Sequence, residues 1–287
     1  MSTLTTSRSF KLHTGLAVAG VGVLLTAALG GGLGDTSAAR LRSTDRTPGS
    51  AQALAAGGAG STDGLVTSAD TTDFDSFLAS VVEDTANYWS GQLTAWEPQY
   101  GTGPWQTVTY QIIDSGQSVL SACTDGAGNT TLAGDPDELA GANPAFFCGA
   151  DMTIYLSSQW LYDNIWNASG DSAAASDFGV AYAVAHEMGH AVQHDLGITT
   201  PADSATVAPT ELQADCLAGV WSNEKYYENQ LEPGDVEEAV AEAAAVGDYE
   251  YTDPGFHGTP EERSGAFMVG YDSGDASSCT LDLADTL

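Results

Sequence analysis

The spacing of apolar residues along the chain predicts a mostly helical protein. From Asp73 to Trp96, apolar side chains recur every three or four positions, and this amphipathic helix is predicted to end before Pro98. The same spacing predicts further helices at residues 158–166, 178–196, 210–227, 235–246 and 260–271. Helices therefore account for most of the predicted structure.

Two short segments have the pattern of β-strands. Residues 105–113 alternate and are rich in β-branched and aromatic side chains, and residues 151–156 predict a second strand. The Gly- and Asp-rich stretch between them, at about 122–143, predicts a loop that holds Cys123 and closes near Cys148. Its acidic residues do not have the spacing of a calcium-binding loop. We expect an α+β fold, mostly α, with a small sheet.

The N-terminal segment, residues 1–34, has the features of an export signal. Two basic residues precede residues 12–34, which contain no charged side chain. Two interpretations remain open: a signal peptide cleaved before Arg40, or a single membrane anchor that is retained. A buried helix of a soluble domain is disfavoured by the flanking charges. We expect an extracytoplasmic protein, either secreted or anchored to the cell membrane.

The next segment, residues 35–70, predicts a flexible tether. It is rich in Ala, Gly, Ser and Thr and has almost no large apolar residue. The apolar periodicity begins only after it, so residues 71–287 form the predicted folded domain.

The charge of the chain excludes several classes of partner. The 39 acidic residues against seven basic ones give a formal net charge of −32, and only Lys225 and Arg263 are basic beyond residue 46. Such a surface repels phosphates, which excludes nucleic acids and electrostatic docking on anionic lipids. The 43% of hydrophobic residues is nevertheless enough to bury a core, so the chain is not an acidic disordered protein.

The cysteines agree with export. The chain has four cysteines and no C-x-x-C pair, which argues against thiol redox chemistry and a zinc knuckle. An even number in an exported chain predicts two disulfides, with three alternative pairings. Proximity in the sequence favours Cys123–Cys148, which leaves Cys216–Cys279.

The candidate chemistry begins with a His-Glu-Met-Gly-His sequence inside a helical segment. His186 and His190 are four residues apart, so they lie on one helix face, about 6 Å apart along the axis. Two imidazoles at this spacing can share one zinc ion. Glu187 lies beside such a metal, where it can accept a proton from an activated water and pass it to a leaving amine.

A zinc site of this kind needs a third protein ligand. His194 continues the same face but lies about 12 Å from His186 along the helix, too far for one ion. Glu211, in the first turn of the next predicted helix, is the better candidate. Asp215, one turn later on the same face, is expected to hydrogen-bond a ligand imidazole or Glu211. An extended motif with a third histidine is excluded, because Gln193 and Leu196 stand where it needs glycine and histidine.

At this level the chain resembles the neutral zinc metallopeptidase family of exported or membrane-anchored bacterial proteins. The resemblance rests on CGADMTIYL (148–156), HEMGHAVQH (186–194), ELQADCLAGVW (211–221), HGTPEER (257–263) and GYDSGD (270–275). It implies a zincin-like catalytic domain that binds Zn²⁺ through His186, His190 and Glu211. It also implies that Glu187 is the general base.

Two further roles follow by analogy with zinc peptidases. An edge strand beside the active-site helix commonly aligns an extended peptide, and residues 151–156 are the candidate. The oxyanion of the transition state needs a hydrogen-bond donor. His257 is the first candidate for that catalytic role, and Tyr226, Tyr227 and Tyr251 are its rivals.

Arg263 stands out because so few basic residues remain in the folded domain. It is expected to pair with a buried carboxylate near Asp215, or alternatively to bind a carboxylate of the substrate.

Together these features predict a zinc-dependent peptidase whose partner is a peptide or protein substrate. The alternatives are a metal-binding surface module without turnover and a structural cell-surface domain without metal. No feature of the sequence indicates an oligomeric state or a preferred peptide bond.

Overall fold

A computed structural model of the protein describes residues 74–100, 104–124, 128–167, 176–201 and 204–279, with the side chains of 98–100 left out. The predicted export segment 1–34 and the predicted tether 35–70 lie outside these ranges. None of the helices within them is both long enough and apolar enough to span a bilayer.

Helices make up most of the described chain, as the apolar periodicity predicts. They are α1 Phe74–Tyr100, α2 Ser158–Leu161, α3 Asp177–Asp195, α4 Ala208–Tyr227, α5 Asp235–Ala245 and α6 Pro260–Ser273. The prediction for the end of α1 is wrong, because the helix continues past Pro98. Proline removes only one amide donor there, near the end of a long helix. The predicted helix 158–166 is α-helical only as far as Leu161 and continues as a π-helical turn, Tyr162–Trp166.

Six short strands form two small sheets in the described chain. In chain order they are β1 Thr109–Ile113, β2 Ser118–Thr124, β3 Thr130–Gly134, β4 Ala142–Asn143, β5 Ala145–Cys148 and β6 Thr153–Ser157. The first sheet has the order β1-β6-β5, in which β1 is parallel and β5 antiparallel to β6. The second has the order β2-β3-β4. The fold is therefore α+β and mostly helical, as predicted.

Two expectations about the strands are wrong. The segment 151–156 does not supply an edge strand, because β6 lies between β1 and β5, and β5 is the edge strand. The stretch 122–143 is not a single loop, since it contains β3, β4 and the end of β2. Thr130, Thr131 and Leu132 favour a strand within this Gly- and Asp-rich stretch, and pairing with β2 completes it.

Helix α3 lies at the centre of the core. Its apolar flank is fully buried and comprises Val180, Ala181, Val184 and Ala185. Trp89 of α1, Trp221 of α4 and Phe267 of α6 are among the largest fully buried side chains of the same core. Each such side chain contributes about 1.5–3 kcal/mol by leaving water, so the polar face of α3 is held on a rigid support.

Helices α4 and α6 touch through their backbones. A methyl group on Gly219 of α4 would overlap the carbonyl oxygen of Phe267, and one on Gly270 of α6 would overlap the carbonyl oxygen of Cys216. No other residue fits at either position without separating the two helices.

Both disulfides have the pairing that sequence proximity favours. Cys123 of β2 bonds Cys148 of β5 and ties the two sheets together. Cys216 of α4 bonds Cys279 and holds the short 3₁₀ turn that follows α6 against α4.

Candidate metal centre

The two histidines of the motif face each other on α3. Their Nε2 atoms are 3.2 Å apart, and the two rings are nearly perpendicular. Their spacing of four residues on a helix accounts for this arrangement, and the buried flank of α3 fixes it.

Glu211 completes a group of three metal-ligand side chains. Pro209 stands in the first turn of α4, where a missing amide proton costs nothing, and Glu211 follows in that turn. The Oε2 atom of Glu211 is 3.2 Å from His186 Nε2, and its Oε1 atom is 3.4 Å from His190 Nε2. His186, His190 and Glu211 each offer one ligand atom, all within 4.8 Å of one another.

These separations match the size of a zinc ion. Ligand atoms about 2.0–2.1 Å from a tetrahedral zinc lie about 3.3–3.4 Å from one another. The three contacts measure 3.2, 3.2 and 3.4 Å. Two imidazoles and one carboxylate are also a donor set that zinc prefers, so the residues present fit the metal.

The other ring nitrogens of both histidines are occupied by hydrogen bonds. His186 Nδ1 donates to Asp215 Oδ1 at 2.7 Å, and His190 Nδ1 donates to Gln193 Oε1 at 2.8 Å. In the neutral ring with its single proton on Nδ1, each Nε2 atom has a lone pair that points toward the shared position between the ligands. Asp215 therefore contacts the imidazole of His186, one of the two partners expected from the sequence.

Gln193 is a supporting residue that the sequence analysis did not assign. Its Nε2 atom donates to the carbonyl of Thr210 at 2.7 Å and to Gln213 Oε1 at 3.0 Å. Gln213 in turn donates to the carbonyl of Cys279 at 3.1 Å. A chain of hydrogen bonds thus runs from the second disulfide to the ring of His190. The position of Gln193, one turn after His190, was the available signal.

Asp215 is the centre of a second buried network. It is fully buried, and its Oδ1 atom also accepts from the hydroxyl of Tyr182 at 2.6 Å. Arg263 donates to both of its oxygens, from Nε and from Nη2, each at 2.9 Å. The pairing expected for Arg263 is thus present. Tyr182 was missed, although it stands one turn before His186 on the same helix.

The hydrogen bonds at the start of α6 explain the position of Arg263. Thr259 and Glu262 form a reciprocal capping box, in which each side chain accepts from the backbone N–H of the other. The cap starts the helix at Pro260 and brings Arg263, one turn in, opposite Asp215.

The electrostatics of the group favour a cation between its members. Burial lowers the pKa of the His186 imidazole, but the charges and hydrogen bonds of Asp215 and Glu211 outweigh burial and raise it to about 10. Burial raises the pKa of Glu211, yet both histidines together hold it well below its ordinary value. A site that binds a proton this tightly also offers a strong field to a divalent metal.

Glu187 lies against the edge of the first sheet. Its Oε2 atom accepts from the backbone N–H of Phe147, in β5, at 2.9 Å. The bond from the Ser157 N–H to the Pro144 carbonyl fixes the register of β5 on β6. Alternate residues of an antiparallel strand bond its neighbour, so Ala145 and Phe147 turn their backbone groups to the open edge.

A cleft of about 710 Å³ joins these groups. His186, Glu187, His190 and Glu211 line it, together with β5 and Arg263. His194 forms part of the wall, where its ring meets Phe147 edge-on and covers Gly149. It is not in the ligand group, which agrees with its distance along α3.

The four candidates for an oxyanion donor differ in whether they line the cleft. His257 lines the cleft, with its side chain 49% exposed and its Nδ1 atom 3.8 Å from Asp248 Oδ2. Tyr226, Tyr227 and Tyr251 are more than half exposed, and none of them is part of the cleft lining. Of the four candidates, His257 is therefore the one that lines the cleft.

Comparison with known proteins gives a family and relatives in two groups of bacteria. The chain is 38% identical over 154 residues to uncharacterized protein YpfJ of Escherichia coli K12, a match that covers 47% of this chain and 52% of the relative. It is 36% identical over 169 residues to uncharacterized protein Rv2575 of Mycobacterium tuberculosis H37Rv, which covers 49% of this chain and 56% of the relative.

The chain thus spans about half the length of the curated relatives that it matches. Solved structures give no significant match. The sequence model of one family matches residues 12–281, nearly the whole chain. The chain belongs to the family described as "Putative neutral zinc metallopeptidase".

Proposed function

We propose that the protein is a zinc-dependent peptidase that hydrolyses peptide bonds in peptide or protein substrates. His186, His190 and Glu211 would hold the zinc ion in a zincin-like catalytic domain. The observation that carries the proposal is the convergence of three ligand atoms, 3.2–3.4 Å apart, from two helices. The hydrogen bonds at both Nδ1 atoms leave the Nε2 atoms free for that role.

Bound zinc would supply a Lewis acid that acidifies a water molecule and polarises the scissile carbonyl. Glu187 would be the general base that transfers the proton. Its carboxylate is adjacent to His186 in sequence and lines the same cleft. It would take a proton from the attacking water and return it to the departing amine. The Phe147 amide holds this carboxylate in place by one hydrogen bond.

The substrate would lie along β5. The backbone groups of Ala145 and the carbonyl of Phe147 face the open edge and can pair with an extended peptide, as sheet edges do in other peptide-binding proteins. This replaces the expectation for residues 151–156, whose strand is enclosed. His257 would donate a hydrogen bond to the oxyanion that forms during attack.

The location outside the cytoplasm is part of the same proposal. The two disulfides join all four cysteines of the chain and are typical of an oxidising compartment. The uncharged segment after Arg8 and Lys11 supports either a cleaved signal peptide or a single membrane anchor.

The test compares the full chain with its Glu187→Gln variant. We expect zinc near one ion per chain in both proteins, and cleavage of a mixed peptide library by the wild type alone. Loss of the base should reduce kcat/KM at least a hundredfold. Glu237→Gln, an exposed change on α5, serves as the matched control and should keep full activity. A chelator should abolish cleavage, and added zinc should restore it.

Two other results would point to the alternatives. Zinc near one ion per chain without cleavage of any peptide by the wild type would indicate a metal-binding module. Folded protein without stoichiometric zinc would indicate a structural domain.

A further inference from the structure

One carboxylate in the cleft has no hydrogen-bond or ion-pair partner among the described residues. Glu242, on α5, is partly buried and lines the cleft together with the metal-ligand group. No hydrogen bond or ion pair joins its side chain to any described residue. A carboxylate that is partly removed from water without a partner is costly, and burial raises the pKa of Glu242 to about 7 despite the charge of Arg263.

Two hydrogen bonds fix the position of Glu242 along α3. One turn before it on α5, Glu238 accepts from the backbone N–H of Phe178, at the start of α3. One turn after it, the carbonyl of Val246 accepts from Arg263. Glu242 therefore lies between the beginning of α3 and the metal-ligand group, at the level of the turn that precedes His186.

Neither Lys225 nor Arg263, the two Lys or Arg residues of the described chain, forms an ion pair with Glu242. Only Lys225 and Arg263 are basic beyond residue 46, and both are used elsewhere. Lys225 bonds Asp84 and Glu228, at 2.8 and 2.7 Å. Arg263 gives two bonds to Asp215 and a third to the Val246 carbonyl. Within the described residues, Glu242 therefore has no cation bonded to it and is open to one carried by a ligand.

The cleft that Glu242 lines also suits a long aliphatic chain. Apolar side chains from α2, the π-helical turn and the early part of α3 line the same cleft, and they are Trp160, Leu161, Ile165 and Ala183. Lys and Arg have an aliphatic stem that packs on apolar surface and a charged head that needs an anion. Apolar walls beside a carboxylate that is not paired with any described residue match that chemistry.

We infer that Glu242 binds a Lys or Arg side chain of the peptide substrate close to the scissile bond and so selects basic peptides. This rests on the proposed function, because it deepens the specificity of the same cleft. The net charge of −32 supports it, since an acidic surface raises the local concentration of cationic peptides.

The experiment uses fluorogenic peptides that differ at one position. Each pair carries lysine or norleucine, which has the same stem without the charge, placed in turn at each residue on either side of the cleaved bond. The N-termini are acetylated in one set and free in another. For one position we expect the lysine peptide to have a kcat/KM about tenfold to a hundredfold higher, the usual range for a hydrogen bond to a charged group.

Variants assign the preference to Glu242. In Glu242→Gln the lysine-to-norleucine ratio should fall to near one, and in Glu242→Lys a peptide with glutamate at that position should become the better substrate. Glu237→Gln removes the same charge from the exposed face of α5 and should keep the wild-type ratio. A wild-type ratio near one at every position would overturn the inference, as would a preference that survives in Glu242→Gln. A gain only for peptides with a free N-terminus would also overturn it.

Binding separates this inference from the proposed function. The Glu187→Gln variant should bind the lysine peptide at least tenfold more tightly than the norleucine peptide, whether or not the wild type cleaves either. Tighter binding without cleavage would support the inference while the peptidase proposal fails. Cleavage without any preference for lysine would support the peptidase proposal and overturn this inference.

Discussion

Arg263 of α6 and Asp215 of α4 form a two-point ion pair inside the protein, with both hydrogen bonds 2.9 Å long. The same Asp215 accepts from Nδ1 of His186 at 2.7 Å. Burial raises the pKa of Asp215, but His186 and Arg263 outweigh burial and lower it. Arg263 thereby keeps Asp215 ionised and so holds the ring of His186, although it is not itself one of the three ligand residues.

Replacing Arg263 with lysine keeps the charge but removes one of the two hydrogen bonds. We expect Arg263→Lys to lower the free energy of unfolding by about 1–3 kcal/mol, because a charge-assisted bond to a buried carboxylate is lost. Urea unfolding measures the difference. Asp272→Asn, an exposed change on α6, should stay within about 0.5 kcal/mol of the wild type. Unchanged stability together with an altered preference for peptide length would show that Arg263 binds the substrate instead.

Removing the amide of Gln193 should weaken metal binding. In Gln193→Leu the Nδ1 proton of His190 has no acceptor, so the ring can rotate or change tautomer. We expect zinc affinity to fall about tenfold to a hundredfold, as measured by competition with a chelating dye. Gln111→Leu, an exposed change on β1, is the matched control and should leave affinity unchanged.

The stability of the protein should decrease as the pH rises toward neutrality. Burial, with the nearby charges of Asp235 and Glu238, raises the pKa of Asp177 from 3.8 to about 7. In the unfolded chain this carboxyl group loses its proton near pH 4. Its contribution to stability is therefore fully present below pH 4 and is lost as the pH rises through 7.

Asp177→Asn removes this dependence and tests the sign. When the pH is raised from 5 to 8.5, the free energy of unfolding of the variant should increase by about 1–2 kcal/mol relative to that of the wild type. This value is reduced for solvent screening, because Asp177 is partly exposed. Thermal unfolding of both proteins at each pH gives the difference, with Asp272→Asn as the control. A gain that is equal at both pH values would contradict the assignment.

The second disulfide should support both the fold and the centre. The double variant Cys216→Ser, Cys279→Ser opens a loop with a sequence separation of 63, so we expect a loss of about 4 kcal/mol. Zinc affinity should also fall, because Gln213 then loses the fixed carbonyl of Cys279. The double variant Cys123→Ser, Cys148→Ser should lower stability while it leaves zinc affinity within about threefold. Equal affinity losses in both would indicate general loosening.

The sequence predicts those features that depend on neighbours along the chain. Helical periodicity is enough to place His186 and His190 on one face of α3, and the same rule relates Glu211 to Asp215 on α4. The pairing of Arg263 with a carboxylate could be predicted because the chain has so few basic residues beside its 39 acidic ones. Proximity was also sufficient for both disulfides.

Features that depend on tertiary contacts could not be predicted in the same way. The pattern of residues 151–156 predicts a strand but not its neighbours, and only pairing shows that β5 forms the edge. The donor to Glu187 is the backbone amide of Phe147. Because almost every residue has such an amide, the side chain at that position does not indicate the hydrogen bond. The composition could not single out Glu242, because it is one of 39 acidic residues. Only the structure shows that it has no partner among the described residues.

The glycine contacts between α4 and α6 set the distance across which Arg263 must reach Asp215. Because Gly219 and Gly270 bring two backbones together without side chains between them, this distance is the minimum that two helices allow. It can only increase on mutation. A single added methyl group at either glycine, neither of which is a ligand residue, would therefore push the two helices apart. The guanidinium of Arg263 would then move away from the carboxylate of Asp215, and the ring of His186 would be free to turn.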